Sequence, residues 1–403
     1  MVKNNNMADR RSRRRWIILG VICITSLTFT VTFQSIPPIL NLIMAELKLS
    51  HAEGGLLMSI YALPGIFVPI PAGMLADRYS QKKIGIISLV LLLVGTIIFA
   101  SGSSLSILIL GRLVSGIGAM TIAVLVLQML AQWFSGREIG TAMGVIHTCM
   151  PIGSILSLNV LSVVSENLGW HASIWLTAGF LLVALIIFVC LYSPAPGKRQ
   201  LNSTPYKNLI HDIRSIGIPI WLVGGSFMLF NASYITFITF TPDLLNTAGF
   251  SISSAGFLTS LIVWPALVIS PLIGYVMDRV DHKRTIVVTG SLAMAILMLW
   301  TPHATGWILA LILLIGIASN IVPPPILALP SETTSPERLG LGYGIFSTCL
   351  NVGLFIGPAS AGFVKDITGS YQTSYALMSV YALVIIPVIL LIRRRNPTPP
   401  SLL

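Results

Sequence analysis

Long apolar runs separated by short polar gaps fill nearly all of this 403-residue chain. A helix crossing a bilayer core needs about 20 mostly apolar residues, and in lipid only helices or closed barrels satisfy every backbone polar group. Twelve stretches have that length: residues 16–40, 54–76, 84–102, 105–131, 139–163, 172–193, 217–241, 252–276, 285–300, 305–330, 339–363 and 373–392. Hydrophobic residues make up 55% of the chain and charged residues 9%, against roughly 25% charged in a soluble domain. So few charges cannot cover a water-facing surface. The sequence predicts an all-α integral membrane protein with twelve transmembrane helices, solvated by the lipid bilayer.

The net charge of +11 raises nucleic acid as a partner, and the placement of the charge argues against it. Every Lys and Arg except Lys48, Arg112 and Lys365 lies in the amino-terminal tail, in an even-numbered gap, or in Arg393, Arg394 and Arg395. That alternation is the positive-inside bias. It predicts a multi-pass cell-membrane protein with both termini in the cytoplasm. Cys23, Cys149, Cys190 and Cys349 all fall within apolar runs, with neither a disulfide framework nor metal-ligand spacing. No metal site and no cofactor are expected. The basic patch from Arg10 to Arg15 precedes an apolar run from Trp16 that is too long for a signal-peptide core, so the first run reads as an uncleaved membrane helix.

A charged cassette recurs at half the chain length. Gly73-Met74-Leu75-Ala76-Asp77-Arg78 returns 201 residues later as Gly274-Tyr275-Val276-Met277-Asp278-Arg279, each followed by further bases. Gly55, Ser59 and Pro64 match Gly256, Ser260 and Pro265 at the same offset. At an offset of 200, Ser135, Gly140, Gly144, Thr148, Cys149 and Gly153 match Ser335, Gly340, Gly344, Thr348, Cys349 and Gly353. The chain therefore reads as two six-helix bundles in parallel orientation, related by a pseudo-twofold axis. The expected boundaries are 1–193 for the first bundle, 194–216 for a polar cytoplasmic linker and 217–403 for the second bundle. Nothing in the pattern demands more than a monomer.

The cassette and its neighbours resemble the major facilitator superfamily of secondary transporters over essentially the whole chain. The signature of that family between its second and third helices is Gly-x-Leu-x-Asp-Arg-x-Gly-Arg-Lys. Gly73, Leu75, Asp77, Arg78 and Lys82 match it, while Ser80 and Gln81 replace a glycine and a base. The resemblance implies a conformational latch in which Asp77, near the cytoplasmic surface, faces the amino terminus of the eleventh segment. Asp278 and Arg279 would repeat it in the second half. A carboxylate is favoured at a helix start by roughly 0.3–1 kcal/mol. The alternative is a plain positive-inside loop with a capping acid.

Two polar residues stand out inside the membrane. Arg112, within Leu108-x-x-x-Arg112-x-x-x-Gly116, lies about seven residues from the near end of segment 4, or ~10 Å at the helical rise. An intramembrane arginine costs roughly 3 kcal/mol or more unless it faces a partner or a cavity, and no Asp or Glu lies centrally in any predicted helix. Either Arg112 attracts an anionic substrate or assists proton coupling, or it bonds backbone carbonyls and ties helices together. His147 in segment 5 lies near mid-membrane. Its unperturbed pKa suits a proton carrier, and a histidine satisfied by a carbonyl is the alternative. Segments 5 and 11 carry glycine-proline seams, fuller in Gly353-x-x-x-Gly357-Pro358-x-x-x-Gly362.

Segments 1 and 7 are unusually polar, and the family resemblance implies that both line a central cavity. Thr28, Gln34, Asn231 and Tyr234 are the expected substrate contacts, although Ser and Thr side chains can equally bond their own helix. No phosphate-binding Gly-x-x-x-x-Gly-Lys-[Ser/Thr] loop is present, so energy is expected from an ion gradient. The leading expectation is a secondary transporter, not an enzyme, moving a small polar and anionic solute by alternating access with proton symport. A multidrug/proton antiporter is the alternative; against its cationic form, no acid lies in segment 1 or 4. A non-transporting membrane receptor is a third reading.

Overall fold

The computed structural model describes residues 2–134, 139–194, 217–269, 283–304, 306–334 and 339–392. The linker assigned to 194–216 therefore lies, apart from its first residue, outside the described residues, as do Asp278 and Arg279.

The first half runs through α1 (Val2–Phe33), a 3-10 turn at Pro37–Ile39, α2 (Leu40–Leu47), α3 (His51–Ser59), a second 3-10 turn at Leu63–Ile66 and α4 (Pro69–Arg78). It continues with α5 (Gln81–Ala100), α6 (Leu105–Trp133), α7 (Ile139–Leu156), a π-turn, α8 (Ser162–Leu168) and α9 (Trp170–Leu191). The second half contains α10 (Ile218–Thr247), α11 (Ile252–Ser260), α12 (Lys283–Trp300), α13 (Ile308–Ile321), α14 (Pro323–Thr333), α15 (Leu339–Thr368) and α16 (Tyr371–Leu391).

Among the described residues ten helical spans are long and apolar enough to cross a membrane. The remaining two of the twelve predicted segments are the second and the eighth. The second is present as α3 and α4 but broken between them, because Pro64, Pro69 and Pro71 supply no backbone N–H and Gly65 resists helix formation. The eighth begins as α11 and passes into turns before Pro265, the repeat partner of Pro64.

Local geometry repeats with the sequence. Lys48 closes α2 with φ +53°, and Gly249, 201 residues later, closes α10 with φ +95°. Gly169 and Gly369, at an offset of 200, start α9 and precede α16 with φ +81° and +67°. The lysine adopts a left-handed conformation that costs a non-glycine residue roughly 1 kcal/mol, which shows how firmly this turn is imposed. Ser50 and Glu53 form a reciprocal capping box that starts α3.

Outward faces of the helices are apolar. Trp175, Leu182, Val183 and Ile186 of α9 are exposed, as are Leu292, Ile296 and Leu299 of α12. In water such a surface would aggregate; in lipid it is solvated. Inside each bundle small residues bring backbones together, as expected where the hydrophobic effect does not drive helix association. A Cβ on Gly95 of α5 would lie 2.3 Å from the Ser115 nitrogen and 2.6 Å from the Gly111 oxygen of α6.

The bundles themselves meet at the face away from the chain termini, here termed the far face. A Cβ on Gly55 of α3 would lie 2.2 Å from the Pro358 oxygen of α15, and one on Gly256 of α11 would lie 2.3 Å from the Leu158 oxygen. Those two contacts are related by the repeat, at offsets of 201 and 200. The Ser59 hydroxyl also accepts a hydrogen bond from the Ala359 N–H at 3.2 Å. Among the described residues the contacts between bundles run from this far face to mid-segment, where a Cβ on Gly65 would lie 2.1 Å from the Asn351 Oδ1 of α15. Toward the terminal face, Gly144 of α7 and Gly344 of α15 have no neighbour for a Cβ within 4 Å. The structure is closed at the far face.

Gly95→Val should lower the melting temperature in detergent by about 3–8 °C, since overpacking costs about 1–3 kcal/mol. Gly144→Ala should leave it unchanged or slightly higher. Scanning fluorimetry of the two variants beside wild type checks the assignment of the packed seam.

Candidate functional site

Arg112 lies in α6 with 2% of its surface exposed. Its Nε donates to the Leu57 carbonyl at 3.0 Å, Nη1 to the Thr32 carbonyl at 2.8 Å and Nη2 to the Phe33 carbonyl at 3.4 Å. The guanidinium carbon stands 4.3 Å from the centre of the Tyr61 ring, a cation–π distance. The sequence explains why two of these carbonyls lack a backbone donor, while the Thr32 carbonyl also accepts the Ser35 hydroxyl at 2.8 Å. Within α1 the Phe33 oxygen would accept from residue 37, but Pro37 has no N–H. The Leu57 oxygen belongs to the last turn of α3, where carbonyls lose their helical partners. Arg112 thus ties the bend after α1 to the break in the second segment. Its donors are directed at carbonyls, as the helix-tying alternative requires. Among the described residues no carboxylate forms an ion pair with it.

The other expected site residues fall in two groups. Thr28 is buried and donates to the Thr25 carbonyl of its own helix at 2.6 Å. Gln34 reaches the Ser154 hydroxyl of α7 at 3.4 Å through Nε2, while its buried Oε1 has no hydrogen-bond partner among the described residues. On α10, Asn231 donates to the Phe227 carbonyl at 2.8 Å. Tyr234 is half-buried, its ring stacked 5.5 Å from that of Phe230. Asn231 and Tyr234 are three residues apart and share a helix face. His147 belongs to an exposed stretch of α7 with Gly144, Val145 and Thr148, and makes no hydrogen bond among the described residues. The structure does not join it to Arg112.

At the cassette, the Cβ position of Gly73 lies 4.0 Å from the Val124 and Gln128 side chains of α6, an ordinary contact distance that would accommodate a small side chain. Asp77 belongs to the last turn of α4. Arg78 ends the helix, exposed, with its guanidinium 5.9 Å from the Tyr79 ring.

Sequence reasoning missed a second pair of acids. Asp366, near the end of α15, accepts the His51 N–H at 2.9 Å and the Ala52 N–H at 2.7 Å, at the start of α3. Glu166, near the end of α8, accepts the Ser253 N–H at 2.7 Å, at the start of α11. Each contact crosses between bundles. A carboxylate near the carboxy end of its own helix is disfavoured by that helix's dipole, so each acid gains from the helix start that it caps. The two acids are 200 residues apart, and extending the repeat offset into the polar gaps would have revealed them.

Comparison with known proteins agrees with the fold. Relatives match almost end to end. The chain is 24% identical to the probable sulfoacetate transporter SauU of Cupriavidus necator, over 93% of this chain and 94% of that one. It is 22% identical to the lysosomal dipeptide transporter MFSD1 of Danio rerio, over 94% and 86%. The crystal structure of a mutant of the nucleoside transporter NupG superposes with a TM-score of 0.79 at 17% identity, covering 93% of this chain and 100% of that one. The family model described as Major Facilitator Superfamily matches residues 22–232 and again 222–403, so together the two matches leave out only residues 1–21. The chain belongs to the Major Facilitator Superfamily of secondary transporters.

Proposed function

We propose that this transporter carries a small anionic solute in symport with protons by alternating access, and that the far face is extracellular. The observation that carries the anion preference is Arg112: a buried cation whose charge meets carbonyl dipoles and an aromatic ring but, among the described residues, no carboxylate. Dipoles orient the guanidinium without neutralising it, so the surrounding low-dielectric region carries a net positive potential. A solute bearing a carboxylate or sulfonate gains from that potential, and a cationic drug loses. The name of one relative supports the reading, since sulfoacetate bears a sulfonate and a carboxylate.

In this reading the structure represents the state closed to the outside. Asn231 and Tyr234 on α10 meet the solute from one bundle, Gln34 and Thr28 on the first segment from the other. Gln34 has a buried oxygen still to be satisfied, which a protonated solute group or a water would do. His147, exposed on α7, carries the coupled proton. Gly73, Asp77 and Arg78, with Asp278 and Arg279, form the cytoplasmic latches that close when the far face opens. The two bundles span 1–193 and 217–403 with a cytoplasmic linker between them, and the protein works as a monomer in the cell membrane with both termini in the cytoplasm.

The test separates charge from architecture. In proteoliposomes, with sulfoacetate as the probe, Arg112→Gln should reduce counterflow at least tenfold, while Arg112→Lys, which retains the charge, should keep a larger share. Both variants should melt lower than wild type, because an unmet buried carbonyl costs about 1–3 kcal/mol. Equal counterflow in Arg112→Gln and wild type would make the residue a helix tie alone. His147→Gln should preserve counterflow and abolish uphill accumulation driven by a pH gradient; uphill accumulation at the wild-type level would remove His147 from the coupling path.

A further inference from the structure

The two far-face latches differ in one respect. At the Glu166 latch the capped helix start is serine-rich: Ser251, Ser253 and Ser254 bond one another. At the Asp366 latch it presents His51, whose ring is enclosed by groups from three elements of the other bundle. Its Nδ1 lies 3.1 Å from Asp366 Oδ1 of α15, and its Nε2 lies 3.5 Å from Asp243 Oδ2 of α10. The Tyr371 hydroxyl of α16 approaches Nε2 at 3.4 Å and donates to Asp243. Lys365 of α15 is turned aside, its ammonium 3.9 Å from the centre of the Tyr371 ring and bonded to the Gly369 carbonyl at 3.0 Å. On His51's own helix, Glu53 is engaged by the Ser50 N–H.

Two carboxylates therefore face the two ring nitrogens. A neutral imidazole donates from one nitrogen and directs a lone pair from the other, so it would set that lone pair against a carboxylate. Only the imidazolium satisfies both sides. We propose that His51, held between Asp243 and Asp366, is a proton-binding site of the far-face gate, and that protonation there holds the gate closed. Asp243, 3.5 Å from Nε2, holds His51 above the ordinary histidine value of 6.5, aided by Asp366 and opposed by burial.

The sign follows from the geometry. His51 belongs to the first bundle and both acids to the second, so opening the far face parts them and returns the ring to ordinary proton affinity. The closed state binds the proton more tightly. Its proton-linked advantage is complete below the unperturbed pKa near 6.5 and is lost as pH rises through the raised value of the closed state. Glu166 has no titrating partner of this kind among the described residues, so one latch responds to neutral-range pH and the other does not. The bound proton regulates the gate, separately from any proton carried with the solute.

The test requires no substrate, so it fails or succeeds independently of the proposed cargo. Spin labels at Ala45→Cys and Ala248→Cys, exposed positions near the far ends of the two bundles, are placed in a background lacking the four native cysteines. Distances are measured in lipid nanodiscs by double electron–electron resonance from pH 5 to pH 9. In the otherwise unmodified chain the ratio of short-distance to long-distance populations should fall with rising pH, by about tenfold for each unit separating the two His51 affinities. His51→Gln should flatten that profile, and Asp243→Asn should move its midpoint to lower pH. Glu166→Gln should reduce the short-distance population at every pH and leave the midpoint in place. A flat profile in the unmodified chain, or an unchanged midpoint in both His51→Gln and Asp243→Asn, would overturn the proposal.

Discussion

The guanidinium of Arg112 replaces backbone donors that the chain does not supply. Pro37 and Pro38 end the first segment, and the broken second segment leaves a last-turn carbonyl at Leu57. In water such groups would be hydrated; buried within the membrane each unmet carbonyl costs about 1–3 kcal/mol. One side chain with three donating nitrogens meets carbonyls from two elements at once. The bends at Gln34–Pro38 and Tyr61–Phe67 are thereby affordable at membrane depth, and those bends let α3 lean onto α15. The closed gate, the irregular segments and the buried cation form one arrangement.

That gate is built twice. Gly55 against the Pro358 carbonyl and Gly256 against the Leu158 carbonyl are the same contact, formed once by each half against the other. Asp366 and Glu166 cap the helices that carry those glycines. Close backbone approach supplies shape, and the carboxylates supply a charge interaction that ends abruptly on separation. Packed seams of this kind tend to be bistable and not gradually deformable. Alternating access, the working principle of the superfamily, requires elements with two such arrangements.

Much of this was legible in the sequence. Apolar run lengths located the helices, and a repeat offset of about 200 residues identified the two halves before any coordinates. Glycines mark positions where no side chain fits, so their recurrence registers in sequence as tightly as in space. Residue types that serve several purposes were harder to read. Arg112 stood out by charge, but its partners are carbonyls, which no sequence pattern displays. Thr28 and Asn231 stood out by polarity, but the carbonyls of their own helices that take their donors are equally invisible in a sequence pattern. His51, Asp243 and Tyr371 come from three distant stretches of the chain, so nothing local announced them. The acids at 166 and 366 were hidden because polar gaps read as topology signals first.

The central claim is that a small anion moves with protons through this protein. Its most direct measurement is solute-dependent proton flux across proteoliposomes holding the wild-type chain, with a panel of small mono- and dicarboxylates, sulfonates, inorganic anions and amphipathic drugs. Alkalinisation of the external medium is expected on addition of one class of small organic anion, with none on addition of cationic drugs. Proton movement driven by drugs alone, or anion uptake with no proton movement, would contradict it.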